Sequence, residues 1–556
     1  MQGELVGETG FGCADWLVLV GYFLVLAVSG VWLARRKQKD ATDYFLANRT
    51  MPAWAVAISV LATAQSAATF IGAPQSAYQG NLTYLSANIG QILAALIVAA
   101  FFIPVLYRCG ASTVYELLEV RVGGPARAAA SWMFMVGRVM ASGARLFMGG
   151  LAGAMILFGD IEPAQVLIAI AIMTVVGILY TLAGGIRSVI WTDVIQALVY
   201  IGAAGAALVV LLRRIPVSIG TIVDAWQSGM PDGSSKLQVV TTGFETIATA
   251  GSYEFLTHWY TLWTAFIGFT LLNLGFYGTD QDAMQRMLTC RSAARGAWSM
   301  IGAVLLGIPV TLLFMVVGLL LWVLYERPDL MGTAGPTGDR SADLKVFLLF
   351  IVREMPPGLG GLMMAGLMAA GLSSLNSALN ALGSSFVSDF YRRRWPNRGE
   401  DHFLWVGRAA VAVSGVLVGC FAVFCVYWHR QTQIPLIDFA LLVMAFAYAG
   451  LVAVFLTILF TRRGNNFTVI AALLCGFLFV MFMQSYFWNP ICSGLAGLAS
   501  QFGAEPLRDR LQQYAGQPIA LPWQLTLAVV AAMLICCAGR RQPAANCHST
   551  QADGQT

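Results

Sequence analysis

Charge is what this sequence has least of. Asp, Glu, Lys and Arg make up 11% of its 556 residues, against about 25% in an average soluble domain. That is too little to cover the surface of a soluble globule. Mean hydropathy is +0.71, which excludes a disordered chain. The absence of a Gly-X-Y repeat excludes collagen. Histidine is also scarce: His258, His402, His429 and His548, all near loops or ends. A polytopic membrane enzyme would need a nucleophile, a metal cluster or convergent acids and bases at membrane depth, and no such set is visible. The ten cysteines contain no CxxC pair and no zinc-like spacing. A net charge of +5 is too small to suggest a nucleic-acid partner. The start, MQGELVGETGFG, carries no basic stretch, so the first apolar run reads as a retained helix and not a cleaved signal.

Long apolar runs are abundant. A spanning helix needs about 20 mostly apolar residues. Thirteen segments qualify, near 14–34, 52–78, 84–107, 128–158, 163–183, 189–212, 257–282, 296–325, 356–391, 403–428, 435–460, 467–487 and 521–538. The expected fold is an all-α polytopic membrane protein of about 13 transmembrane helices. Lys and Arg accumulate on the cytoplasmic side. With the N-terminus outside, the inner loops hold 21 of the 33 basic residues and the outer side 10, while Arg138 and Arg145 remain within a span. The expected orientation is therefore N-terminus outside and C-terminus cytoplasmic, in the cell membrane.

Polar or helix-breaking runs at membrane depth are the informative exceptions. The second span is interrupted by Thr63, Gln65, Ser66 and Thr69, then Gly72 and Pro74. It reads either as an unwound helix with carbonyls facing a cavity or as a helix kinked at proline. The seventh span has a second weak point at Asn273, Gly275 and Gly278. Two interrupted segments five spans apart fit a five-plus-five inverted repeat. The expected parts are an N-terminus and extra helix (1–40), a first repeat (41–213), an outer loop (214–256), a second repeat (257–464), two further helices (465–540) and a cytoplasmic tail (541–556). In the ninth span, Ser373, Asn376 and Ser377 share a helix face, with Ala370 and Ser374 nearby. Small hydroxylated residues allow close helix packing. A ring of neutral oxygens without carboxylates also suits a monovalent hard cation better than a divalent one. Asp193 opens the sixth span, where an acid is paired or functional; Arg187 or another inner Arg is the expected structural partner.

Four stretches together carry a family resemblance: DYFLANRTMPAWAVAISVLA, GGIRSVIWTDVIQ, NLGFYGTDQDAMQR and AAGLSSLNSALNALGSSFVSDFY. From about residue 14 to 460 the chain resembles the sodium/solute symporters, whose members carry sugars, proline, sialic acids and monocarboxylates. The resemblance implies the inverted-repeat bundle of the bacterial leucine transporter. It implies a sodium site formed by the carbonyls of Ala62, Gln65 and Ala370 and the hydroxyls of Ser373 and Ser374. A second sodium site would use Asp193, Ser373, Asn376 and Ser377. Ser66, Thr69, Asn88, Arg138, Arg145 and Asn273 are the implied solute contacts, and Phe276 and Tyr277 the implied gate. Sialic-acid symporters bind the substrate carboxylate with an Arg on the fourth span; both Arg138 and Arg145 are candidates here, as against pairing with a buried acid. At the sugar-binding positions of the galactose-type relatives only Asn273 agrees.

The expected activity is sodium-coupled import of a small polar organic solute by alternating access, with sodium as coupling ion, no other cofactor, and a monomer sufficient in the lipid bilayer. A carboxylate-bearing solute is favoured, a hexose or inositol being the alternative. A transporter-like sensor or a channel is the remaining class.

Overall fold

The computed structural model describes residues 11–34, 41–229, 234–244, 254–332, 346–432, 434–461, 463–502, 504–516 and 518–540. The basic run at 35–39 and the tail at 541–556 lie outside the described residues. Among the described residues every regular element is a helix, apart from one isolated bridge between Met51 and Cys290. The all-α expectation holds.

Eight described helices are long and apolar enough to cross a membrane, or ten if each bent pair is one span. Three of the thirteen expected segments are not in that count. Helix Gly124–Phe158 is one continuous helix of 35 residues over the expected fourth span. The segment expected at 257–282 is divided into short α-helical and π-helical pieces. The last apolar helix, Leu521–Cys537, has 17 residues. The outer stretch expected at 488–520 is also largely helical, as Ser485–Gln501 packed on Glu505–Gly516.

The second expected span is broken. Ala53–Ala64 and Ala67–Gln79 meet at 62°. Gln65 (φ −78, ψ 125) and Ser66 (φ −133, ψ 177) are extended, so the break precedes Pro74 by two turns and is not a proline kink. Pro163–Arg214 is likewise two helices joined at Gly185 (φ 62, ψ −177), backbone that only glycine adopts freely. A Cβ there would lie 2.9 Å from the Tyr44 carbonyl oxygen.

The chain forms two compact units. The first comprises Met1–Leu85, Arg138–Val239 and Gln281–Val443. Its central element is Leu359–Ser385, in which every residue from 363 to 385 is buried. Small residues allow close contact on all sides: a Cβ on Gly177 of the bent helix would overlap Leu375 at 2.3 Å. The bent helix, the broken pair, Cys13–Ala34 and Glu400–Thr432 pack around this element. Asp15 caps its N-terminus, accepting from the Gly358 and Gly361 amides at 2.8 and 2.7 Å, a favourable end for an anion. Lys236, in the stretch between the two repeats expected from the sequence, is fully buried. It donates to the carbonyls of Tyr78 (2.9 Å) and Gly80 (2.7 Å) at the C-terminal end of Ala67–Gln79 and lies 4.8 Å from the Trp322 ring centroid. Burial lowers its pKa to about 8, with Glu326 opposing.

The second unit comprises Ser86–Gly137, Val240–Asp280 and Met444–Thr556. Ala87–Ile97 lies against the π-helical turn Ala265–Phe269, so close that a Cβ on Gly90 would meet the Ala265 carbonyl oxygen at 2.5 Å. Asn466–Phe482 and Leu521–Cys537 form a further packed pair.

Gly185→Val is expected to destabilise the protein by about 1–3 kcal/mol through backbone strain. A Cβ added to Gly202, on the same bent helix, would have no atom within 4 Å, so Gly202→Ala should not destabilise and should gain up to about 1 kcal/mol from helix propensity. Thermal unfolding of the two purified variants checks the contrast.

Candidate functional site

The first unit gathers nearly all the chemistry. Helix Ala53–Ala64 ends when the chain extends at Gln65, and carbonyls of a last turn lack their usual donors. Leu61, Ala62 and Gln65 of this end, with Ala369, Ala370 and Ser373 of the central helix, line a cavity of ≈ 10 Å³, the room of about one water molecule. Gln196, Ala197, Tyr200, Ile201 and Val310 complete the wall. Four of the five residues implied for the first sodium site therefore line one small cavity. The fifth, Ser374, is buried, and its hydroxyl has no hydrogen-bond partner. An unsatisfied buried hydroxyl costs about 1–3 kcal/mol, and a hard cation would satisfy it. The Gln65 side chain donates from Nε2 to Thr311 at 3.2 Å and accepts at Oε1 from Tyr200 at 3.5 Å, so its backbone carbonyl is the oxygen left for an ion. The donor set is neutral oxygen throughout, as expected for sodium and not for a divalent metal.

The residues implied for a second sodium site also converge, around a protein cation. Asp193 Oδ1 accepts from Ser373 at 2.6 Å. Its Oδ2 accepts from Ser59 at 2.5 Å and from Arg286 at 3.2 Å. The Arg286 guanidinium further donates from Nε to Ser59 at 2.8 Å and from Nη2 to the Ser377 hydroxyl. Ser377 in turn donates to the Ser373 carbonyl at 2.6 Å. Asn376 turns to the other arm of the bent helix, where its Oδ1 accepts from Thr181 at 3.0 Å. Arg187, the other expected partner of Asp193, instead donates to Ala47 and Thr50.

Arg286 continues the network. Its Nη1 donates to Asp282 Oδ1 at 2.5 Å and to the Asp282 carbonyl at 2.8 Å. The second oxygen of Asp282 is paired with Arg138. Arg138, Asp282, Arg286 and Asp193 thus form a neutral line of alternating charge, each side chain no more than 1% exposed. Arg138 is tied to a buried acid. Arg145, two turns further along the same helix, donates to the Thr63 carbonyl at the break, at 3.4 Å, and interacts electrostatically with Tyr84, as does Asp438. Ser66 and Thr69, buried at the start of Ala67–Gln79, are the hydroxylated residues of the same break.

The remaining expected residues belong to the second unit. Asn273 donates to the Phe269 carbonyl at 2.8 Å, one helical turn back. Phe276 and Tyr277 lie in the π-helical turn Gly275–Thr279 and form an edge-to-face pair at 4.9 Å. The Tyr277 hydroxyl accepts from Gln91 at 2.6 Å. Asn88 lies in Ala87–Ile97.

Two central residues do not stand out in the sequence. Arg286 reads there as one of the inner-loop charges, but it is fully buried. Asp282 carries no local mark of importance. Their spacing is the available signal: Asp and Arg at i,i+4 face each other on a helix, and Gln281–Leu288 directly follows the interrupted seventh span.

A helix broken at membrane depth beside a cluster of oxygen donors defines a secondary transporter. The chain belongs to the Sodium:solute symporter family, whose model matches residues 44–476. It is a sodium-coupled symporter, an integral multi-pass membrane protein and not an enzyme. It is 30% identical to the sodium/sialic acid symporter SiaT of Proteus mirabilis over 75% of this chain and 79% of that protein. It is 28% identical to the sodium/sialic acid symporter NanT of Aliivibrio fischeri over 85% of this chain and 88% of that protein. Among solved structures, a Na+-coupled sialic acid symporter in a substrate-bound outward-open state matches with a TM-score of 0.73 and 25% identity, covering 96% of this chain and 99% of that one.

Asp282 holds two guanidinium groups, so Asp282→Asn is expected to cost about 3–5 kcal/mol, the usual penalty for breaking a buried pair. Arg138→Met leaves Asp282 paired with Arg286 and should cost less. Thermal unfolding of both variants gives the order.

Proposed function

We propose that this symporter imports a small organic solute bearing a carboxylate, and that Arg145 receives the carboxylate. The observation that carries this reading is the different placement of the two mid-membrane arginines. Arg138 neutralises Asp282, whereas Arg145 stands at the helix break beside Ser66 and Thr69. The half-helix beginning at Ala67 has its positive end at that break, which also favours an anion. Sialic acids and monocarboxylates are the leading solutes, since the relatives named above carry sialic acid. The hexose alternative has Asn273 and a sodium/glucose cotransporter of Vibrio parahaemolyticus, 27% identical, behind it, but none of the other sugar-contact positions.

One sodium is held by the carbonyls of Ala62, Gln65 and Ala370 and the hydroxyls of Ser373 and Ser374. These oxygens come from two separate elements, the broken helix and the central helix. An ion that joins them favours whichever arrangement brings them together, and release of the ion lets them part. This is the physical basis for alternating access with sodium as coupling ion. Each inward sodium contributes about 2.3 kcal/mol per 100 mV of membrane potential, besides its concentration gradient. Phe276 and Tyr277 keep the gate role, and the five-plus-five repeat remains our assignment of the domain order. We place the protein in the cell membrane, N-terminus outside and C-terminus cytoplasmic, working as a monomer.

Uptake into proteoliposomes tests the reading. Sialic acid or a monocarboxylate should accumulate only with inward sodium, and accumulation unaffected by sodium removal contradicts it. Ser374→Ala should raise the half-saturating sodium concentration about tenfold, the equivalent of ~1.4 kcal/mol. Arg145→Gln should abolish stabilisation of the purified protein by the acid while leaving stabilisation by sodium intact. Retained acid binding in that variant would remove Arg145 from the site.

A further inference from the structure

The second arm of the bent helix, Gly185–Arg214, is 30 residues long and apolar enough to cross a membrane. Such a helix rises about 45 Å, against a hydrocarbon core about 30 Å thick, so its last turn reaches the head-group layer. There an open groove of ≈ 690 Å³ lies between the arm and the residues that lead into the central helix. Gly205, Ala206, Val209 and Leu359 supply apolar wall, and Arg213 and Arg214, the last two residues of the arm, complete it. Gly205, Val209 and Arg213 are four residues apart, on one face of the helix. The described residues leave that face uncovered: a Cβ on Gly205 would meet nothing within 4 Å, and Val209 is 48% exposed. The two arginines differ. Arg214 is ion-paired with Glu354 and donates to its carbonyl at 3.1 Å. Arg213 is exposed and makes no ion pair among the described residues.

We propose that this groove binds one anionic phospholipid, with a tail along Gly205 and Val209 and the phosphodiester on Arg213. The two parts of the groove match the two parts of such a molecule. The Gly205–Val209 face is apolar and its backbone is already bonded within the helix, so an acyl chain fills it without stranding a polar group. The Arg213 guanidinium is a planar fork of N–H donors that fits phosphate oxygens. It also selects the sign of the lipid. A zwitterionic lipid brings its own cation beside the guanidinium, whereas an anionic one brings only negative charge. Arg214 does not offer the same contact, because Glu354 already neutralises it. A free phosphate would use the arginine and leave the apolar wall empty, so the groove favours the tailed anion. Basic pockets between membrane helices are where anionic head groups lodge in general. The lipid would rest on both the bent helix and the residues entering the central helix, bracing the ends of the two elements that carry Asp193 and Ser373. The inference depends on neither the solute nor the sodium site.

Native mass spectrometry of the purified full chain in detergent provides the test, with phosphatidylglycerol and phosphatidylcholine of identical tails as probes. Wild type should bind its first phosphatidylglycerol about fivefold more tightly than phosphatidylcholine, as one basic residue at an anionic head group implies. Arg213→Gln should remove that preference. Gly205→Leu fills the groove without touching a charge and should weaken the first phosphatidylglycerol by a similar factor. Both positions lie on an open face, and a thermal unfolding temperature equal to wild type without lipid checks that each variant is folded. Equal affinity of wild type for the two lipids would overturn the proposal, as would an unchanged phosphatidylglycerol affinity in either variant. Glycerol 1-phosphate, charged but without tails, should not compete. Competition at equal concentration would make this a site for a free anion and overturn the proposal. A dimeric mass that is lost in Gly205→Leu would give the groove to a second copy of the chain, with the same consequence.

Discussion

The structure of the first unit depends on one constraint: two positive and two negative side chains must be buried together or not at all. Each of Arg138, Asp282, Arg286 and Asp193 would be prohibitively expensive alone in an apolar interior. In alternation they are neutral, and nearly every donor meets an acceptor. The line joins four elements: Gly124–Phe158, Gln281–Leu288, the bent helix and, through Ser377, the central helix. It also explains why so short a helix as Gln281–Leu288 is buried along its whole length. Apolar packing alone gives such a helix no particular register. Two guanidinium groups flanking one carboxylate do.

Beside this line lies the broken helix. Its first half ends in carbonyls without helical donors, and its second half begins in buried hydroxyls. Both halves of the break meet the central helix, whose run of Gly, Ala and Ser lets neighbouring backbones come near. The same small residues thus serve packing and chemistry. Ser373, Ser374, Asn376 and Ser377 divide between these two roles. Ser377 and Asn376 are tied into protein hydrogen bonds, while Ser374 has a free hydroxyl.

The sequence is informative where a rule is broken locally. Thr63, Gln65 and Ser66 mark the helix break because polar residues and non-helical backbone coincide there. Asp193 stands out because an acid is rare at a membrane edge. The helix count is less legible, since a length-and-hydropathy rule presumes unbroken helices, and 257–282 is split by π-helical turns. Arg286 is hard to place for a related reason. A charge just beyond an apolar segment is ordinarily solvated, and its i,i+4 pairing with Asp282 does not by itself tell a solvated pair from a buried one. Its other partners are 91 to 227 positions away in the chain, at Ser377, Asp193 and Ser59. Arg138 and Arg145 are indistinguishable by spacing for the same reason. Their difference lies in what faces them, Asp282 for one and the Thr63 carbonyl for the other.

Lys236 carries a mechanical consequence. Its ammonium grips the C-terminal end of the second half-helix through two close carbonyl contacts and rests over Trp322. The segment bearing Lys236 and the half-helix are therefore coupled as one body, like a handle fixed to a bolt. Any tilt of Ala67–Gln79 drags that segment along or tears the ammonium from its carbonyls. Movement at the buried helix break is thereby passed to the segment bearing Lys236, where a bound antibody fragment or a bulky label could hold the handle still.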